Sequence, residues 1–193
     1  MKEIIHEGLK GSIKAKEDFI AQHEEEVCQF IELIVAAFTN NNKLLIFGNG
    51  GSAADAQHMA AEFVNRFLID RRPLPAIALT TDSSILTSIG NDFSFEDIFL
   101  KQIQALGASG DVALGISTSG NSGNVIKAIA EAKDMGMVTA VLTGGSGGKL
   151  LPMADIGLNV PVTFTPHIQE THLWVEHLIC QLVDEKMFGK EGL

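Results

Sequence analysis

Apolar residues fall along the chain in two alternating rhythms. Residues 12 to 38 follow a helical stripe through Val27, Ile31, Ile34, Val35 and Phe38, and Cys28, Phe30, Leu33, Ala36 and Ala37 widen it beyond one face. A helix apolar over most of its girth needs two partners, of which its own sheet supplies one and a second subunit the other. Thr39-Asn40-Asn41-Asn42 ends it with turn-forming side chains. Short continuous apolar runs follow at 44–47, 76–79, 112–116 and 138–142, each leading into a loop rich in Gly, Ser or Thr, and 156–160 reads as a fifth, edge strand. Helical stretches fill 83–89, 95–106 and 168–187. Unbroken apolar strands alternating with helices predict an α/β fold with a parallel sheet covered on both faces. In such sheets ligands bind at the carboxyl ends of the strands.

The 193 residues contain no long linker or strong repeat, which predicts one domain, 1–193, with a helical extension over about 1–40. Fourteen Lys and Arg face 24 Asp and Glu, a formal charge of −10, so a nucleic-acid partner recognised through phosphate neutralisation is not expected. The three arginines are Arg66, Arg71 and Arg72. No run of ~18 apolar residues suggests a membrane span. The N-terminus lacks the apolar core of a secretory signal, and the expected compartment is the cytoplasm. Cys28 and Cys180 both sit in apolar helical patterns and read as buried reduced thiols.

Two loops carry anion-binding character. Gly48-Asn49-Gly50-Gly51-Ser52-Ala53-Ala54-Asp55 joins a strand to a helix, with Ser52 and Asp55 spaced as in a capping box. It fits a dinucleotide fingerprint loosely, without the acidic residue expected about 20 positions on. A tight turn without ligand is the alternative. Ser117-Thr118-Ser119-Gly120-Asn121-Ser122-Gly123 offers four hydroxyls within six positions, more than simple capping needs, which suits a phosphate monoester. Gly144 to Lys149 fails the Walker pattern at both ends, with Thr143 for the first glycine and Leu150 for the Ser/Thr, and reads as a connection.

His58 and Glu62 are four residues apart and share a helix face, a spacing that suits a zinc-like ion, although such a pair alone is more often a solvated contact. The last helix carries Gln169, Glu170, His172, Glu176 and His177. Gln169 and His177 lie eight apart, roughly 12 Å along a helix, so a shared ion requires them to bend together or to meet across subunits. His172 reads as a packed histidine, and the pattern leaves His177 open.

Together with Ala78 to Asp82, Ile89-Gly90-Asn91-Asp92, the 117–122 loop and Ile168-Gln169-Glu170 followed by His177, the stretch 48–58 resembles the sugar isomerase (SIS) family. Within it the match is to phosphoheptose isomerases, over about residues 12 to 188. The resemblance implies a flavodoxin-like three-layer αβα sandwich with a five-stranded parallel sheet and a long N-terminal helix. It also implies a homotetramer with active sites at subunit interfaces, and conversion of sedoheptulose 7-phosphate to D-glycero-D-manno-heptose 7-phosphate on the way to ADP-heptose and lipopolysaccharide. By position, Ser52, Ser117, Thr118, Ser119 and Ser122 would hold the phosphate. Asn49, Gly50, Gly51, Asn91 and Asp92 would contact the sugar, joined by Glu62 and Gln169. His58, Glu62, Gln169 and His177 would bind one zinc per subunit, with Glu62 and His177 as the proton-transfer pair. The chain departs from many relatives at His167, where they carry Arg, and at Pro166, where some carry Asp. Three alternatives remain: a tetrameric adaptor for a replication initiator protein, whose relatives lack the Glu62 and His177 equivalents; a sugar-phosphate sensor domain, against which the absence of an attached DNA-binding segment counts; and an isomerase of another sugar phosphate.

Overall fold

The computed structural model describes residues 1–189 of the chain. Five strands, β1 (Leu44–Gly48), β2 (Ala76–Ala78), β3 (Val112–Ser117), β4 (Val138–Gly144) and β5 (Ile156–Val160), form one parallel sheet in the order β2-β1-β3-β4-β5. β5 lies at an edge, as its weaker apolar run predicts. The order reverses between β1 and β3, whose register pairs Leu44 with Val112 and Gly48 with Ile116. That reversal opens a crevice at the carboxyl ends of these two strands.

Strand side chains alternate between two helical layers. Leu44, Ile46, Leu114, Ile116, Ala140 and Leu142 pack with α1 (Lys2–Thr39), α2 (Gly51–Val64) and α6 (Thr165–Phe188). Leu45, Phe47, Ala113 and Val141 pack with α4 (Leu100–Leu106) and α5 (Gly123–Asp134). Both faces are covered over the central strands β1, β3 and β4, which is why these read as nearly unbroken apolar runs. In the first layer the Phe38 and Phe63 rings meet edge-on at 5.4 Å, tying α1 to α2.

Several boundaries differ from the sequence expectation. α1 starts at Lys2, ten residues before the expected position, and its first turns leave Ile4, Ile5, Leu9 and Ile13 on the surface. The 83–89 helix extends to Asp92 as α3 (Ser83–Asp92), a helix with no buried residue. The 95–106 stretch splits into a 3-10 turn at Phe95–Asp97 and the short α4. Cys180 is buried, but Cys28 is exposed: it sits beside Val27 on the flank of α1 that turns away from the core.

Candidate active site

The first glycine-rich loop leaves β1 at Gly48, where a Cβ would stand 2.7 Å from the Ile116 carbonyl oxygen and 2.8 Å from the Ser52 Cβ. Only glycine lets β1, β3 and the start of α2 come this close. Gly50, at φ 56°, is the N-cap of α2 and makes no side-chain capping bond. The expected Ser52–Asp55 capping box is therefore absent: the helix begins before Ser52, whose side chain turns into the core. No side chain caps α2; the N–H groups of Ser52, Ala53 and Ala54 donate to the loop carbonyls of Asn49 and Gly50 at 3.0 to 3.3 Å.

The second loop leaves β3 directly opposite. Ser117 is buried and its Oγ lies 2.9 Å from that of Ser122, closing the turn. Thr118 and Ser119 open instead onto a cavity of about 280 Å³, whose other walls include Ser146, Thr163 and Thr165. Four of the five hydroxyls expected around a phosphate thus gather on this one loop. Ser52 sits in the adjoining first turn of α2. The Gly144–Lys149 connection packs onto the same loop. Leu150 N–H donates to the Gly120 carbonyl at 3.0 Å, and a Cβ on Gly148 would lie 2.5 Å from that oxygen.

Asn124, which sequence reasoning did not single out, joins the two loops. It donates to Asn49 Oδ1 at 2.8 Å and accepts from Asn49 Nδ2 at 2.9 Å while buried at the start of α5. Its signal was present as a second asparagine in the Ser/Gly stretch. Asn91 and Asp92, in contrast, end α3 on the surface, hydrogen-bonded to each other at 2.8 Å and to no other candidate residue among those described.

The decisive geometry lies between α2 and α6. His58 Nε2 and His177 Nε2 are 2.7 Å apart, and Glu62 Oε1 lies 3.6 Å from His58 Nε2. Phe67 stacks on the His177 ring at 5.5 Å and 14°, setting its plane, and no sequence pattern pointed to it. Gln169 rests against Gly51, where a Cβ would be 2.5 Å from its amide nitrogen. α6 therefore runs along α2 with Gln169 over its first turn and His177 two turns further on. The protomer unites His58, Glu62 and His177 and keeps Gln169 at the mouth of the first loop. Among the described residues no three His, Cys, Asp or Glu side chains form a finished ligand group. Two imidazole nitrogens turned on each other leave no room for two facing lone pairs, so either a proton or a cation must stand at that point. Two imidazoles and a carboxylate are donors a zinc-like ion accepts, and these three residues fit such an ion; Gln169, two turns away along α6, is not brought to them within one protomer.

Other polar groups near α6 are structural. His172 is fully buried, its Nε2 2.9 Å from the Thr143 carbonyl oxygen, and burial lowers its pKa to about 4. It is the packed histidine expected. Glu176 is also fully buried; burial, then the neighbouring Asp55, pushes its carboxyl well above the usual range. His167 stands against Gly11 of α1, its Nδ1 3.2 Å from Glu170 Oε2. A side chain on Gly11 would collide with this ring, so the substituted position is absorbed by α1.

A SIS domain family model matches residues 10–144. A phosphoheptose isomerase of Aneurinibacillus thermoaerophilus is 48% identical over 192 residues, covering 97% of this chain and 96% of that protein. One from Solidesulfovibrio magneticus is 52% identical over 180 residues, covering 93% and 88%. The chain belongs to the phosphoheptose isomerase family of SIS proteins. The solved phosphoheptose isomerase GmhA of Neisseria gonorrhoeae superposes with a TM-score of 0.90 at 45% identity, covering 95% of this chain and 98% of that one. Family membership agrees with a hydroxyl-bearing loop after β3 and an imidazole–carboxylate cluster between α2 and α6 in the same protomer.

Proposed function

We propose that this isomerase interconverts sedoheptulose 7-phosphate and D-glycero-D-manno-heptose 7-phosphate through an enediol. The observation that carries the reading is the approach of His58 and His177 at 2.7 Å with Glu62 beside them, on the two helices that border the hydroxyl-lined crevice. The adaptor alternative lacks a use for this cluster, and both Glu62 and His177 are present.

The phosphate sits on the Ser117–Ser122 loop beside the start of α2, where Ser119 and Thr118 donate hydroxyls and the helix dipoles favour a dianion. Anchoring at C7 orients the other end of the sugar and converts remote binding energy into rate. Glu62 takes a proton from C1 while His177 donates one to the carbonyl oxygen on C2, giving the enediol. Glu62 then returns its proton to C2, and His177 recovers one from the oxygen on C1, leaving an aldehyde there and both side chains as they began. His58, Glu62 and His177, with Gln169 joining them only across subunits, would hold a zinc ion, one per subunit, which would supply polarisation of substrate oxygen. Gln169, at the mouth of the first loop, and Asn49 contact the sugar hydroxyls.

The protein is proposed to be a homotetramer. The exposed Ile4, Ile5, Leu9 and Ile13 of α1, and an α3 with no buried residue, are faces a second subunit would cover. Such covering also gives Asn91 and Asp92 a route to a neighbouring crevice. The product would feed ADP-heptose formation in the cytoplasm.

The test is NMR of sedoheptulose 7-phosphate incubated with purified protein, together with metal analysis of the same sample. Appearance of the aldose phosphate with about one zinc per chain supports the reading. No turnover with intact fold returns the adaptor to first place, and turnover of a pentose 5-phosphate alone moves the substrate.

A further inference from the structure

We infer that Arg71 is a positioning residue for the proposed general base, because one guanidinium holds the last turn of α2 to the face of α6 that carries His177. The inference rests on Glu62 being that base. The final carbonyls of any helix lack partners within it. In α2, the Ala61 carbonyl receives Asn65 N–H at 2.9 Å. The next two receive Arg71: Nη2 donates to the Glu62 carbonyl at 3.0 Å and Nη1 to that of Phe63 at 2.7 Å, which the Leu74 N–H also reaches at 3.0 Å. Nη1 also reaches the carbonyls of Asn65 and Arg72, both at 3.2 Å.

The third nitrogen turns the other way. Arg71 Nε donates to Asp184 Oδ1 of α6 at 2.8 Å, in a pair whose side chains are 2% and 1% exposed. Asp184 follows His177 by seven residues, two helical turns, and so lies on the same face of α6. Arg71 is thus bonded at once to the backbone of the catalytic carboxylate and to the helix of the catalytic imidazole. Its charge also complements the negative end of the α2 dipole. Arg66 and Arg72, by contrast, remain exposed. A planar fork is needed: a lysine ammonium opposite Asp184 keeps the charge but cannot direct separate donors at two successive carbonyls. Since a displacement of about 1 Å at a reacting group costs on the order of 100-fold in rate, slackening this tie acts on the chemical step.

The test compares R71K with D111N, which disturbs the Lys43–Asp111 pair joining the segments just before β1 and β3, without contact to α2 or α6. R71K is expected to lower kcat for sedoheptulose 7-phosphate by roughly 10- to 100-fold with KM within about twofold. It is also expected to shift the side-chain NMR signals of His58 and His177. D111N is expected to lower the melting temperature while leaving kcat and those signals in place. If R71K does not fold, the double variant R71Q/D184N, which leaves no buried charge unpaired, takes its place with the same expectations. Wild-type kcat in R71K, unmoved histidine signals, or equal losses in D111N overturn the proposal. Should wild-type protein turn over no sugar phosphate, the reading of Glu62 as base fails separately, and the histidine signals alone decide whether Arg71 holds the cluster.

Discussion

Asn49 and Asn124 exchange amide hydrogen bonds across the crevice, at 2.9 and 2.8 Å, so that the loop after β1 and the start of α5 are held at a set spacing. Asn124 Oδ1 also accepts from the Val125 N–H at 2.9 Å and Asn124 is buried, so a further amide donor and acceptor towards the sugar remain only on Asn49. Asn124→Ala leaves the buried side of Asn49 unsatisfied. It is expected to cost about 1–3 kcal/mol of stability and to raise KM, as read from urea midpoints and initial rates.

Glu62→Gln keeps the shape of the side chain and removes the base. Turnover should fall by about 10²–10⁴-fold, and solvent deuterium should no longer enter the carbon next to the carbonyl. Circular dichroism and oligomeric state should be unchanged. Exchange at the wild-type rate would assign the proton transfer to another group.

Ser119→Ala removes one hydroxyl from the open wall of the cavity without disturbing the Ser117–Ser122 contact behind it. A hydrogen bond to a charged group is worth about 1.5–3 kcal/mol, so KM should rise by roughly tenfold or more with kcat little altered. An unchanged KM would place the phosphate elsewhere.

Dialysis against a chelator should abolish turnover, and zinc should restore it in wild type but not in a His58→Ala, His177→Ala double variant. A site filled at about 100 times its Kd adds roughly 2.7 kcal/mol to stability. Zinc is therefore expected to raise the wild-type melting temperature and to leave that of the double variant in place.

His172 supplies an acid-sensitive limb. Its folded pKa of about 4 lies below the unfolded value near 6.5, so the unfolded chain binds the extra proton first as pH falls. Its stability contribution is complete above about pH 6.5 and drains away towards pH 4. His172→Gln can still donate to the Thr143 carbonyl. Between pH 7 and pH 5 the wild type should lose about 2 kcal/mol more than this variant in denaturant titrations.

Sequence patterning located all five strands, most plainly β1, β3 and β4 at the centre of the sheet, whose residues are almost all buried on both faces. The parallel arrangement and the αβα layering followed from the same fact. Patterning was weakest where tertiary partners decide. Ile4, Ile5 and Leu9 have no sheet beneath them, so nothing in the domain core marks the first turns of α1. Ser52 looks like a cap because its spacing to Asp55 is right, yet a positive φ at Gly50 starts the helix earlier. The convergence of His58 and His177, 119 positions apart, came from family resemblance. Spacing alone offered only the His58–Glu62 face. Arg71 was visible as one of three arginines in an acidic chain, but its inward turn depends on how the segment after α2 folds back.

The seating of Gly148 on Gly120 makes the turn after β4 and the hydroxyl-bearing turn after β3 one mechanical part. Chimeras that import either segment alone from a relative would bring mismatched backbones into collision, whereas transplanting the two together preserves their fit. Diversification of substrate scope in this scaffold therefore has to proceed by paired exchange.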